Sequence, residues 1–305
     1  MSRKVKIGLI GAGVFGGYHA NKLAAHPRID FIGLYDHDAA RAKEVAAKHS
    51  VRVFAGLRAL YAKVDALVIA CPARYHGDIA INALKAGKHC LIEKPIAPTL
   101  AQAETIHEFA TDTSLVVQIG HKERFVAKAR GLDTIPERPL SLNAQRLGPP
   151  SGRGGDVSVT LDLMTHDLDL VLMLMGHMPD SVKGQTRAVD TPFSDETLAH
   201  LTFGSAQVTL KASRLAPAFT RTMDIKYPSG DVHIDFNAKT MRHSTPFDLN
   251  ENFADDPIAQ DSLGAATNSF VQAILDGMPV MITAQDGYNA LKLALQIDGD
   301  MNGQS

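Results

Sequence analysis

Short, nearly continuous apolar runs alternate with amphipathic segments over the first 120 residues of the chain. The apolar runs predict strands at 5–10, 29–35, 51–54, 66–70, 89–92 and 115–119. Helices are predicted after Gly16, after Asp38, from His76 to Gly87 and after Thr99, with Asp38 and Thr99 as N-caps. Strands that alternate with helices indicate a parallel sheet, and the lack of polar strand positions indicates that both faces are covered.

The pattern changes after about Gly120. A helix is predicted over Asp162–Met175, and two more are predicted over 258–277 and 284–298. Between the first of these helices and the other two lie five strand candidates separated by turns, at 181–189, 196–203, 206–213, 219–227 and 231–236. Consecutive strands with short turns favour an open, mainly antiparallel sheet. The predicted fold class is therefore α/β, with a domain of alternating strands and helices over 1–121 and an α+β domain over 122–305, whose last helix can pack back on the first domain.

Composition narrows the range of partners. The 305 residues include 31 basic and 33 acidic side chains, for a net charge of −2, so neither nucleic acid nor an anionic membrane is expected as a partner. No apolar run approaches the ~18 residues of a membrane helix, and the start of the chain resembles a strand rather than a signal peptide. Two cysteines and no zinc-type spacing predict reduced thiols and no metal. We expect a cytoplasmic protein.

A glycine-rich turn follows the first strand, with Gly11, Gly13 and Gly16 in the spacing GxGxxG. In a dinucleotide site the first glycine makes the tight turn, the second admits the pyrophosphate and the third lets helix and strand pack closely. Asp36 ends the next strand, 20 residues after Gly16, where a ribose-binding carboxylate belongs. Such a carboxylate repels a 2′-phosphate, so NAD is favoured over NADP, although Arg41 is near. The alternatives are a close-packed turn without ligand and, for Asp36, a solvated turn residue.

A lysine stands at the end of a later strand of the same predicted sheet. Glu93-Lys94-Pro95 follows the apolar run Cys90-Leu91-Ile92, and ligands of open α/β sheets bind outside the carboxyl ends of the strands. An ammonium there can stabilise a developing alkoxide and share in proton transfer. Taken alone, the position favours an ordinary surface lysine at a strand end, which is the usual environment of lysine.

The third candidate group is DLMTHDLD, at the start of the predicted helix. Asp162 and His166 are four residues apart and share a helix face, where the carboxylate can orient the imidazole. An unperturbed histidine, with a pKa of about 6.5, is a suitable base near neutral pH. Asp169 extends the same face. The alternative is a helix start whose polar side faces water, but the flanking leucines, methionine and valine predict a mostly buried helix.

Two further features lie around the domain junction. Arg124, within Gly120-His121-Lys122-Glu123-Arg124-Phe125, can hold an anionic group or form an interdomain ion pair. The segment 148–155 is too rich in glycine and proline to belong to the core, and it can form a mobile flap over a ligand.

Taken together, these residues resemble the family of glucose–fructose oxidoreductase, inositol dehydrogenase and MocA. The resemblance covers essentially the whole chain, through GAGVFG, AGKHCLIEKPIA, DLMTHDLD and the late FVQAILDGMPVMITAQDGYNALKLA. It implies a Rossmann domain and a C-terminal domain whose open sheet forms oligomer contacts, so a homodimer or homotetramer is expected. It also implies NAD(P)-dependent oxidation or reduction of sugars, cyclitols and related polyols.

The same resemblance assigns the site. Lys94 matches the family's catalytic lysine, Asp162 and His166 match its acid and base pair, and Pro72 matches a residue that lines the nicotinamide. The Lys94–Pro95 bond is often cis in such proteins. The expected cofactor-binding residues are Gly11, Gly13, Val14, Phe15, Gly16, Asp36, Cys71, Pro72, His76, Glu93 and Lys94. The expected substrate-binding residues are Lys94, Arg124, Arg146, Asp162, His166 and Arg214, with Arg153 as a further candidate for a diphosphate.

Within the family, the GHKERF segment, Ala212-Ser213-Arg214-Leu215 and Tyr227-Pro228-Ser229-Gly230 look similar to nucleotide-sugar 3-dehydrogenases, and UDP-N-acetylglucosamine 3-dehydrogenase is the comparison they suggest. The hypothesis is that His166 takes the proton of a sugar hydroxyl while hydride passes to NAD, with the sugar between the nicotinamide and the second domain. A dehydrogenase of free sugars or inositol, an NAD-dependent glycoside hydrolase and an NAD-binding regulator without activity remain as alternatives.

Overall fold

The computed structural model describes residues 3–150 and 155–299 and divides the chain into two compact units. The first unit consists of the chain up to His121 together with Leu263–Tyr288. The second consists of Lys122–Ser262 and the chain from Asn289 onwards. Within the described residues, no helix is both long and apolar enough to cross a membrane.

The first unit is built on a six-stranded parallel sheet of order β3-β2-β1-β4-β5-β6. Its strands are β1 (Val5–Ile10), β2 (Ile29–Tyr35), β3 (Arg52–Val53), β4 (Ala66–Ile69), β5 (His89–Ile92) and β6 (Val117–Ile119). Its helices are α1 (Val14–Ala25), α2 (Ala39–His49), α3 (Leu57–Tyr61), α4 (His76–Lys85), α5 (Leu100–Asp112) and, from later in the chain, α9 (Ser262–Asp276). The predicted Rossmann-type parallel sheet is confirmed. After β3 the chain returns to the centre of the sheet, where β4 pairs with β1 on the side opposite β2. This reversal of strand order opens a crevice at the carboxyl ends of β1 and β4, where ligands of such sheets bind.

Burial explains why the central strands lack polar positions. Every residue of β4 is buried, and its Ala66 and Val68 lie with Leu9, Leu34 and Leu91 in one apolar core. Helix α9 adds Phe270 to the same core, where the side chain is fully buried. A strand covered on both faces has no solvent side, so it requires apolar residues at successive positions.

The second unit contains a seven-stranded sheet of order β13-β12-β11-β7-β10-β9-β8. Its strands are β7 (Ser141–Leu147), β8 (Ser181–Arg187), β9 (Glu196–Phe203), β10 (Ala206–Ser213), β11 (Thr220–Tyr227), β12 (Gly230–Asp235) and β13 (Thr240–His243). All neighbours are antiparallel except β7 and β10, which are parallel. The remaining helices are α6 (Glu123–Ala129), α7 (Thr165–Met175), α8 (Pro257–Gln260) and α10 (Ala284–Asp298).

One face of this sheet carries the core of the second unit. Leu142, Leu210 and Ile225 point from three neighbouring strands into one cluster with Leu168 of α7 and Leu293 of α10. The alternate strand positions are exposed and polar, among them Asn143, Gln145, Gln207, Lys211, Asp224 and Lys226. This alternation is what an antiparallel sheet with one buried face requires.

The structure differs from the prediction in four added elements and one divided helix. Strands β7 and β13 and helices α3 and α6 were not predicted, and the predicted helix over 258–277 is two helices, α8 and α9. Strand β7 alternates, but its third inward position is Arg146, which is 7% exposed. Because an arginine occupies this core position, one face of the strand is not uniformly apolar in the sequence. The hydrophobic pattern alone therefore does not identify β7 as a strand.

Candidate functional site

The glycine turn has the geometry of a dinucleotide site. Gly11 has a φ of 98°, and a Cβ added there would lie 2.6 Å from the carbonyl carbon of Ala70. A Cβ on Gly16 would lie 2.0 Å from the carbonyl oxygen of Gly11. At Gly13, in contrast, a Cβ would meet no atom within 4 Å, so this glycine borders open space at the N-terminus of α1. The turn therefore fits a pyrophosphate, which binds where backbone N–H groups and the positive end of a helix dipole are exposed.

Asp36 is held beside this turn by two backbone groups. The N–H of Ala12 donates to its Oδ2 at 2.5 Å, and the N–H of Asp38 donates to its Oδ1 at 2.7 Å. The carboxylate thereby has a set orientation before any ribose binds. The guanidinium of Arg41 lies 3.4 Å from the carboxylate of Asp38 on its own helix. The arrangement is that of an NAD site, since a carboxylate rather than a cation occupies the ribose position.

The turn that carries Lys94 begins at the carboxyl end of β5. The N–H of Glu93 donates to the carbonyl of Ile69 at 2.9 Å, which continues the sheet by one residue beyond Ile92. The Lys94–Pro95 peptide bond is cis, as the resemblance implied, and the Lys94 side chain is half-buried. The lysine thus stands beside the end of β4, at the edge of the sheet where the Gly11 turn also lies.

Glu93 points into the interior. Its Oε1 lies 2.7 Å from Nε2 of His19 on α1, and both side chains are buried. Burial alone raises the pKa of Glu93, but the hydrogen bond from His19 and the charges of His19 and Lys94 outweigh it and hold the pKa below its usual value. The carboxylate is therefore an anion enclosed behind Lys94. His19 was not predicted, although a histidine between the core positions of α1 was a signal for it.

Cys71 and His76 lie on the neighbouring turn, after β4. Burial raises the pKa of the half-buried Cys71 thiol to about 12, so the group is a thiol at neutral pH. His76 is 1% exposed, and its ring nitrogens contact the carbonyl oxygens of Cys71 and Pro95. His76 was predicted to contact the cofactor, but the structure places its ring inside the first unit, between the two turns.

His166 and Asp162 lie at a change of helix type. Residues Thr160–Met164 form a π-helical turn that contains Asp162, and α7 begins at Thr165. The prediction of one regular helix from Asp162 is therefore wrong at its first turn. The hydroxyls of Ser158 and Thr160 each donate to the carboxylate of Asp298 at 2.6 Å, which holds this segment in place. Single π-turns occur frequently at functional sites, because they alter which side chains share a face.

Two arginines hold α7 through two carboxylates that follow His166 in the chain. Arg146 donates from Nε and Nη2 to Asp167 at 2.9 and 2.6 Å. Arg124 donates from the same two atoms to Asp169 at 3.1 and 2.5 Å. Bidentate pairs of this kind set both distance and orientation. For Arg124 the structure thus shows an ion pair, and both partners belong to the second unit. His166 itself is 9% exposed.

Arg214, the third predicted phosphate ligand, also has partners in the second unit. It donates from Nη2 to the carbonyls of Val157 and Ser194 at 2.8 and 3.1 Å, and its Nε lies 3.4 Å from Asp195. Arg153 and the centre of the predicted flap, residues 151–154, lie outside the described residues. Within the described parts of the chain, no group of three or more histidine, cysteine, aspartate and glutamate side chains could hold a metal ion.

Comparison with known families adds independent information. The model of an oxidoreductase family with an NAD-binding Rossmann fold, GFO_IDH_MocA, matches residues 5–121. The model of the GFO/IDH/MocA C-terminal domain matches residues 138–232. The two matched regions contain the Gly11 turn, Lys94, Asp162 and His166.

Individual relatives match over nearly the full length. UDP-N-acetylglucosamine 3-dehydrogenase from Acidithiobacillus ferrooxidans is 34% identical over 304 residues, covering 96% of each chain. A solved structure of that enzyme, GnnA, superposes with a TM-score of 0.87 at 33% identity and covers 98% of each chain. The NAD⁺-dependent scyllo-inositol 2-dehydrogenase from Bacillus subtilis is 27% identical over 240 residues, which is 71% of this chain and 69% of that protein.

Proposed function

The chain belongs to the oxidoreductase family of glucose–fructose oxidoreductase, inositol dehydrogenase and MocA, and we propose that it oxidises a secondary hydroxyl of a nucleotide sugar with NAD. The observation that carries the substrate class is the similarity to UDP-N-acetylglucosamine 3-dehydrogenase, which extends over 96% of both chains. A similarity limited to the Rossmann unit would have supported only the cofactor. UDP-N-acetylglucosamine is therefore the first substrate to test.

Residues of the first unit hold the cofactor in this proposal. The backbone at Gly11, Gly13 and Gly16 receives the pyrophosphate, and Asp36 accepts hydrogen bonds from the ribose hydroxyls. Pro72 and Lys94, on the turns after β4 and β5, border the reactive end. When bound, NAD supplies the hydride acceptor, and all proton transfers are left to side chains of the protein.

Lys94, Asp162 and His166 carry out the proton chemistry in this proposal. His166 accepts the proton of the hydroxyl that is oxidised, and Asp162 orients the imidazole and stabilises the imidazolium that forms. The ammonium of Lys94 donates a hydrogen bond to the same oxygen while negative charge develops on it, and can relay the proton. The alcohol loses one proton to the protein and one hydride to the cofactor, so a ketone results and the charges balance.

A dehydrogenase of free sugars or inositols is the second candidate. The similarity to scyllo-inositol 2-dehydrogenase supports it, and the proposed roles of Lys94 and His166 would be the same.

We also propose that the protein acts in the cytoplasm as a homodimer or homotetramer. The open sheet of the second unit supports an oligomer, since an uncovered sheet face is a common assembly surface. Light scattering from the purified protein tests the oligomeric state.

The test of function is NADH formation with the purified protein, NAD and a panel of UDP-sugars, free sugars and inositols. Turnover of UDP-N-acetylglucosamine without turnover of free sugars supports the proposal, and the reverse supports the second candidate.

Lys94→Ala and His166→Ala should each lower turnover at least about 100-fold. The controls Lys85→Ala and His177→Ala, both at exposed positions, should retain it. Undiminished turnover in both active-site variants would remove the proposed mechanism. Sugar release without net NADH would indicate a glycoside hydrolase, and binding of NAD without any turnover would indicate a regulator.

A further inference from the structure

Both ring nitrogens of His76 face an oxygen that can only accept a hydrogen bond. Nδ1 lies 2.7 Å from the carbonyl oxygen of Pro95, and Nε2 lies 2.8 Å from the carbonyl oxygen of Cys71. A neutral imidazole has one N–H donor and one lone pair. In that form, one ring nitrogen would direct its lone pair at a carbonyl oxygen within 2.8 Å. Only the imidazolium donates to both oxygens at once.

The ring has little access to water, because His76 is 1% exposed at the start of α4. A buried polar group that lacks a partner is destabilising, so the protein gains by satisfying both contacts. Taken together, these influences lower the pKa of His76, with burial the largest of them, whereas its two carbonyl partners and the carboxylate of Glu93 act in the opposite direction. The two short contacts therefore favour the protonated ring, whereas burial favours the neutral ring.

The charged and titratable groups around His76 include one anion that can balance the imidazolium. Glu93, on the turn after β5, attracts the ring charge, and His19 of α1 holds that carboxylate in place at 2.7 Å. Lys94, on the same turn, repels the ring charge. The thiol of Cys71 stays neutral because burial raises its pKa to about 12. Helix α5 packs against α4 through the neutral Gln102, whose side-chain amide donates to Asp78 of α4 at 2.8 Å.

The two carbonyls that His76 contacts belong to the two turns that border the proposed reaction centre. Cys71 precedes Pro72, on the turn after β4, and Pro95 follows Lys94, on the turn after β5. The backbone hydrogen bond from the Glu93 N–H to the Ile69 carbonyl connects the two strands just before these turns begin. Beyond that point, His76 is a bridge between the turns.

We propose that His76 is a positioning residue, which as an imidazolium holds the Cys71-Pro72 and Lys94-Pro95 turns together and thereby sets the position of the Lys94 ammonium. It acts through Lys94 and touches neither the substrate nor the cofactor. The inference rests on the proposed role of Lys94 in catalysis. Displacement of a catalytic group by about 1 Å can cost on the order of 100-fold in rate, so such a bridge is functionally significant.

The first test is the protonation state of the ring. The full-length protein, labelled with ¹⁵N in its histidines, is studied by NMR at pH 7, and the His76 signals are assigned by their loss in His76→Gln. Two protonated ring nitrogens with similar shifts support the proposal. Widely separated shifts, which mark a neutral tautomer, would overturn it, since a neutral ring cannot hold both carbonyls. This measurement does not depend on the substrate or on turnover.

The second test is kinetic. Glutamine at position 76 retains one donor, and alanine retains none, so His76→Gln should lower kcat about 10-fold and His76→Ala about 100-fold, with little change in the KM for NAD. The matched control is His89→Gln, at the other end of β5, where the imidazole accepts from the N–H of Val116 at 2.8 Å. This control should retain kcat. Equal losses in His76→Gln and His89→Gln would show a general structural effect and overturn the positioning role.

A double variant separates this inference from the proposed function. In a Lys94→Ala background, His76→Gln should cause no further loss of residual turnover, because its effect passes through Lys94. A full additional loss would overturn the inference while leaving the role of Lys94 intact. If Lys94→Ala alone retained turnover, the proposed mechanism would fail, and the NMR result would still report whether His76 bridges the two turns.

Discussion

Arg146 and Asp167 form a buried bidentate ion pair in the second unit, with N–O distances of 2.9 and 2.6 Å. Asp167 directly follows His166, so the pair fixes the first turn of the helix that presents the proposed base. Arg146 lies on β7, the central strand that the hydrophobic pattern did not reveal. The strand and the helix are thus connected at the residue next to the proposed base.

Breaking this pair should destabilise the protein strongly. Arg146→Met leaves the carboxylate of Asp167 buried without its bidentate partner, for which we expect a loss of about 3–5 kcal/mol in the free energy of unfolding. Urea denaturation measures it. The control is Arg187→Ala, which removes an exposed pair with Glu196 and should cost less than about 1 kcal/mol. Similar losses in the two variants would contradict the assignment.

Neighbouring glycines of α1 should respond in opposite ways. A methyl group on Gly16 would lie 2.0 Å from the carbonyl oxygen of Gly11, whereas a methyl group on Gly17 would meet no atom within 4 Å. Gly16→Ala should therefore lower the free energy of unfolding by about 1–3 kcal/mol or more. Gly17→Ala should raise it by about 0.5–1 kcal/mol, because alanine favours the helix. Thermal unfolding of both variants gives the comparison, and equal shifts would refute the close contact.

Asp36 should determine the preference of the protein for NAD over NADP. Asp36→Ser removes the charge at the ribose position, and loss of a charged hydrogen bond worth about 1.5–3 kcal/mol should raise the KM for NAD about 10- to 100-fold. The preference for NAD over NADP should fall at the same time. Asp38→Ser is the control, since serine can still cap α2 as Asp38 does through the N–H groups of Ala40 and Arg41. Unaltered cofactor preference in Asp36→Ser would exclude this role.

Asp195 should contribute stability that depends on pH. Burial alone raises its pKa, but hydrogen bonds from the backbone of Val189, Asp190 and Thr191 and from the Thr191 hydroxyl outweigh it and lower the pKa from 3.8 to about 2. A lowered pKa in the folded state means that the contribution is complete above about pH 4 and is lost as the pH falls towards 2. Asp195→Asn should therefore be less stable than the original protein at pH 7, and the difference should narrow below pH 4.

Urea denaturation at a series of pH values between 7 and 3 measures this difference. Asp231→Asn, at an exposed position near the start of β12, is a suitable control and should show no comparable narrowing. A difference for Asp195→Asn that stayed constant over the whole series would show that the carboxylate charge contributes nothing.

Features formed by residues close in the chain were predictable. Gly11, Gly13 and Gly16 act through the backbone of a single turn, and Asp36 lies one strand later, so their spacing alone indicated an NAD site. The apolar runs of the first unit were equally informative, because strands covered on both faces tolerate few polar residues. The Lys94 turn was identified for the same reason, as it directly follows such a strand.

Features that depend on buried charge could not be predicted in this way. Arg146 occupies a core position of β7, and its partner Asp167 is 21 residues away on another element, so neither residue alone indicates burial. The π-turn at Thr160–Met164 is held by Asp298, 138 residues from Thr160. His19, Glu93 and His76 likewise meet only after the sheet has formed.

The sequence by itself determined most of the strands and helices of the first unit, the cofactor turn and the residue types available for chemistry, since these follow from local backbone geometry and hydrophobic periodicity. The tertiary structure alone decided which polar side chains lie in the interior and which partner each one has. Burying a charge is costly unless an opposite charge or a hydrogen-bond partner is close. That partner is chosen by the packing of distant elements, which no local pattern records.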